Sequence, residues 1–213
     1  MTKVKRLFDG EEIGNAISHG VGLGLSIAAL VILIYIGVKY GDSRYVVSYS
    51  IYGSSLVILY LASTLYHSVP EGKVKDIFKI FDHSAIFLLI AGTYTPITLI
   101  ALKGRLGTTL FVVVWTIAFL GIVFKMFFSK KYKKLSTMMY LLMGWLIIFA
   151  IKPLLTNLNT ISTIFLVSGG IVYSLGTIFY LWKNLKFNHL IWHFFVLGGS
   201  VCHFFMMYFL IIQ

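Results

Sequence analysis

His189 and His193 stand four residues apart in the stretch NHLIWHFF, at the head of an apolar run that continues almost unbroken to Gln213. On a helix this spacing puts both imidazoles on one face, about 40° apart, where they can share a tetrahedral ion. An isolated pair beside Trp192 reads equally well as an interfacial anchor. A third histidine, His67, closes the stretch STLYH, with Ser63 four residues before it on the same helical face. Three neutral imidazoles and one open position form the ligand set of a catalytic zinc site. Asp82 adds a carboxylate. Either Lys79, one turn earlier, is its partner, or Asp82 hydrogen-bonds a zinc-bound water and serves as its base. Ser63 is either a packing residue or a hydrogen-bond donor to that site.

The elements that must position these residues follow from composition. The chain is 59% hydrophobic and 12% charged, with a mean hydropathy of +0.91. A chain of 213 residues cannot hide that much apolar surface in a water-soluble core. It is expected to be an all-α integral membrane protein, one seven-helix transmembrane domain over residues 1–213. The spans are read at roughly 13–38, 45–68, 77–101, 107–128, 135–155, 160–182 and 187–212, each long enough for ~30 Å of hydrocarbon. Lys152 and Pro153 fall near the end of the fifth. The lone Cys202 lies deep in an apolar segment and excludes an intramolecular disulfide or a CxxC site. MTKVKRL is followed by Asp9, Glu11 and Glu12 rather than a short apolar stretch, so no removable signal peptide is expected.

Orientation comes from the basic residues. Thirteen of the 18 fall in the N-terminal segment, around 73–79, in 125–134 and at 183–186, which seven spans place on one side. That side is expected to be cytoplasmic, leaving the C-terminus outside and the protein in the plasma membrane. The run KKYKK invites a nucleic-acid reading, but positive-inside bias and anionic headgroups explain it, so membrane lipids are the expected partners.

Orientation allows depths to be compared. Glu12, Asn15 and His19 open span 1 as one polar stripe. Span 2 ends with Ser63 and His67; span 3 begins with Asp82 and His83; span 7 begins with His189 and His193. Four helices thus bring polar groups to one layer within ~10 Å of the same boundary. His83 points about 100° from Asp82 and is expected at the interface. His203 lies some 15 Å deeper than His193, too far for the same ion, and is expected to be packed and hydrogen-bonded. The small residues Gly169, Gly170, Ser174 and Gly176, and Gly198, Gly199 and Ser200, suit close helix packing, and Pro96 is expected to kink span 3.

Taken together, Glu12-x-x-Asn15-x-x-Ser18-His19, Ser63-x-x-x-His67, Asp82-x-Ser84 and His189-x-x-x-His193 resemble the progestin and adiponectin receptor (PAQR) family, and within it the bacterial hemolysin III branch. The resemblance implies a seven-helix bundle with a cytoplasmic N-terminus. It also implies Zn2+ on His67, His189 and His193, with Asp82 on a zinc-bound water and Ser63 in the same site. The family is also similar to alkaline ceramidases, which hydrolyse lipid amides. Three functions compete: a zinc-dependent hydrolase of a lipid amide or ester, a pore-forming cytolysin, and a sensor of membrane lipid state with structural zinc. Polar groups confined to one layer argue against a monomeric pore.

Overall fold

A computed structural model of the chain describes residues 10–102, 104–128 and 132–211. Among them every regular element is helical. The helices are α1 (Gly10–Tyr40), α2 (Ser43–Ser68), α3 (Lys73–Pro96), α4 (Gly104–Phe128), α5 (Lys133–Gly144), α6 (Ile151–Asn157), α7 (Thr160–Leu181) and α8 (Asn188–Ile211). A π-helical turn, Ile97–Leu102, extends α3, and a 3-10 segment, Trp145–Ala150, joins α5 to α6. Seven stretches are therefore long and apolar enough to cross a membrane, at the positions the hydropathy pattern indicates.

Short polar connections start and stop these helices. Asp42 caps α2, its carboxylate accepting from the Arg44 and Tyr45 amides at 2.9 and 3.3 Å. Asn159 caps α7 by accepting from the Ser162 amide at 2.7 Å. Each span packs on the next in chain order, and α8 returns to pack on α1. Within this ring α3 is the innermost helix: 78% of its most apolar stretch is buried, against 22% for α4 and α7. The outer faces carry exposed large apolar side chains, among them Phe149 at 84% and Phe127 at 74%. Polar residues such as Asn15, Ser18, His19 and Ser26 line the inner face of α1. Apolar outside and polar inside is the arrangement a bilayer requires.

The two irregular segments have local causes. Pro96 has no N–H to offer Gly92, and the helix loosens into the π-helical turn directly after it. Pro153 likewise cannot donate to the carbonyl one turn back, and the 3-10 segment lies on that N-terminal side. Tyr94 mends this second break: its hydroxyl donates to the Gly144 carbonyl at 2.9 Å and accepts from the Ile147 amide at 2.8 Å. Close packing of α7 on α8 depends on glycine. A Cβ on Gly169 would meet the His203 ring, and one on Gly199 would meet Tyr173.

Candidate metal centre

His67 ends α2, and His189 and His193 occupy the first two turns of α8 on one face. One nitrogen from each of the three lies within 4.8 Å of the others. The ring centroids stand 5.0, 5.0 and 4.7 Å apart. His67 and His193 are buried and His189 is half-buried.

Helix α1 fixes how two of these rings present themselves. The Glu12 carboxylate can only accept, so at 3.2 Å it takes the hydrogen from His67 Nδ1. Ser18 donates its hydroxyl hydrogen to the Asn15 carbonyl at 3.0 Å, which leaves its oxygen to accept from His193 Nδ1 at 3.2 Å. Both imidazoles then carry their hydrogen on Nδ1 and keep the Nε2 lone pair available. His67 Nε2 is buried and has no hydrogen-bond partner. An orphaned buried acceptor beside two further imidazoles is what a bound cation would satisfy, so the donor set fits a metal ion.

Other contacts hold this frame in place. Lys75 donates to Glu12 at 2.6 Å. The Glu11 carboxylate accepts from the His189 amide at 2.9 Å, placing a negative charge at the N-terminus of α8. Asn188 donates to the Phe179 and Tyr180 carbonyls at the end of α7. Phe187, just ahead of α8, sits at φ 56, a left-handed conformation costly for a bulky residue.

Two cavities meet at the cluster. One, of about 250 Å³, is polar and opens at the end of the bundle where α1 begins; Glu12, Lys79, Lys125 and His189 are among its lining residues. The other, of about 180 Å³, is mainly apolar and runs from His193, Ser63 and Asp82 towards Val196, Leu166 and His203.

The residues singled out by sequence thus converge. Asp82 and Ser63 are buried and line the apolar cavity beside two of the histidines, while Asp82 stands outside the three-nitrogen group. Among the described residues no lysine nitrogen is within ion-pair distance of Asp82, so Lys79 is not its salt-bridge partner. The Ser63 hydroxyl is buried beside the Asp82 carboxylate, short of a hydrogen bond of ordinary geometry.

Two expectations need correction. His83 is buried rather than interfacial, because α3 is enclosed on nearly every side and a 100° turn still points inward. His203 is packed against Tyr173 as expected, but neither of its ring nitrogens is hydrogen-bonded. The sequence reading assigned Ser18 no contact, since its partner is 175 residues away. His19, also on α1, stacks on His193 at 3.5 Å between centroids.

A seven-span helical bundle with a histidine cluster at one end defines a class of multi-pass membrane protein, and the family model described as "Haemolysin-III related" matches residues 10–204. The chain belongs to that family, within the PAQR proteins. It is 54% identical to "Hemolysin-3" of Bacillus cereus, over 100% of this chain and 96% of the relative. It is 56% identical to "Hemolysin-3 homolog" of Bacillus subtilis (strain 168), over 93% of each. It is also 30% identical to the human "Monocyte to macrophage differentiation factor", over 73% of this chain and 66% of that protein.

Proposed function

We propose that the protein is a zinc-dependent hydrolase of a lipid amide or ester, with its N-terminal end and its histidine cluster on the cytoplasmic side of the plasma membrane. The observation that carries this reading is the position of the three imidazoles, between a polar cavity open at the bundle end and an apolar cavity lined by Asp82 and Ser63. An amphiphile suits that junction, with its tail in the apolar cavity and its headgroup in the polar one.

His67, His189 and His193 would hold the zinc, which would supply the Lewis acidity that polarises a carbonyl and makes water a stronger acid. Asp82 takes a proton from the attacking water on its carboxylate and returns it to the leaving group. Ser63 donates its hydroxyl to the carboxylate or to the substrate carbonyl. Glu12 and Ser18 hold the His67 and His193 rings. Leu166, Val196 and their neighbours hold the acyl chain and exclude water. The lysis named in the Bacillus relatives is less well supported, because the apolar lining offers no continuous polar path through one bundle.

The test uses purified protein in detergent, assayed for zinc and for turnover of a ceramide, an N-acyl amide and a phospholipid. We expect about one zinc per chain, lost in His67→Ala, His189→Ala and His193→Ala. Asp82→Asn should keep the zinc and lose turnover. Full zinc occupancy in all three histidine variants would overturn the site assignment. Zinc-loaded protein inert towards every lipid would overturn the hydrolase.

A further inference from the structure

The polar cavity carries more positive charge than its fold requires. Lys79, Lys125 and Lys133 line it, delivered by α3, α4 and α5. Lys125 is 2% exposed, although it lies within a membrane-spanning helix. Its ammonium stands 5.9 Å from the Tyr140 ring centroid. Among the described residues neither Lys125 nor Lys79 has a carboxylate within ion-pair distance. Lys133 lies over the Tyr180 ring at 3.7 Å and donates to the Tyr180 carbonyl at 3.4 Å.

The two acids lining the cavity are already engaged. Glu12 holds Lys75 and His67, and Glu11 caps α8. Asp82 lines the neighbouring cavity, and its charge reaches Lys79 and Lys125 only from beyond ion-pair distance. Positive-inside bias accounts for lysines at a membrane surface, but not for one turned inward onto a cavity within the bundle. A buried ammonium without an ion-paired carboxylate is costly, and such groups in membrane proteins mark binding sites.

We infer that Lys79, Lys125 and Lys133 form a receptor for an anionic headgroup, a carboxylate or phosphate carried by the lipid whose tail fills the apolar cavity. The inference deepens the hydrolase reading and rests on it only for the identity of the bond broken. Binding of the headgroup requires neither metal nor turnover. The ammonium groups of Lys79 and Lys133 meet the anion from the side open to water, and Lys125 meets it at the cavity floor, where charge–charge attraction is least screened. A neutral headgroup would leave Lys125 unpaired and would bind less tightly.

The test measures binding to metal-stripped protein in nanodiscs of neutral phosphatidylcholine, by titration calorimetry. The probes are N-dodecanoylglycine, which is anionic, N-dodecanoylethanolamine, which is neutral with the same tail, and inorganic phosphate alone. The glycine amide should bind at least about tenfold tighter than the ethanolamide, as one charged hydrogen bond would give. Lys125→Met should remove that preference. Lys134→Met removes the same charge from an exposed position and should preserve it. Phosphate should compete with the glycine amide and far less with the ethanolamide.

Equal affinity for both amphiphiles, or an equal loss in Lys134→Met, would overturn the inference. Phosphate that binds without displacing the glycine amide would overturn the headgroup assignment. Where Lys125→Met does not fold, Lys133→Gln at the half-exposed wall decides by the same preference. A preference for the anion in protein that hydrolyses nothing would sink the hydrolase and leave the receptor standing.

Discussion

Glu12 and Ser18 touch the histidine cluster through hydrogen bonds. Each meets Nδ1 of a histidine of the cluster, and partners of this kind set ring orientation and ligand basicity. Glu12→Gln and Ser18→Ala should each weaken metal binding by about 10- to 100-fold, measured by chelator competition on folded protein. Ser18→Thr keeps the hydroxyl and should restore most of the affinity. Unchanged metal affinity in both loss variants would mean that α1 only packs here. His189 and His193 were legible in the sequence because histidines spaced at i and i+4 stand out in an apolar run. The contact of Ser18 was not, because the motif that contains it says nothing of a partner 175 residues away on α8.

At the scale of elements, the fifth span shows how one side chain sustains a broken helix. Tyr94 satisfies a carbonyl before the 3-10 segment and an amide within it, both from a neighbouring helix. Tyr94→Phe leaves the buried Ile147 amide unpaired and should lower stability by about 1–3 kcal/mol, read as a fall in the thermal midpoint in detergent. A shift of less than a degree would show that water or a backbone rearrangement replaces the hydroxyl. The number and limits of the spans were readable from hydropathy, since a stretch of some 20 apolar residues has few other uses. Pro153 marked the fifth span as irregular, but a tyrosine 59 positions earlier gave no sign that it would supply the missing bonds. The enclosure of α3 was equally hidden: its apolar content resembles that of its neighbours, and burial depends on which helices surround it.

For the molecule as a whole, the basic residues predict that the end bearing the histidine cluster faces the cytoplasm. Alkaline phosphatase fused after Gln213 should be active, and fused between α4 and α5 it should be inactive; the reverse pattern would invert the topology. Seven spans, their order along the chain and the layer holding the polar groups were determined by sequence alone, because the ~30 Å apolar slab imposes length and composition on each segment separately. Tertiary structure alone decided that α8 closes on α1, bringing Ser18 to His193 and Glu11 to the first turn of α8. It also decided that three helices aim their lysines into one cavity. Those outcomes depend on helix rotation and ring order, which side-chain packing inside the bundle sets and no single segment encodes.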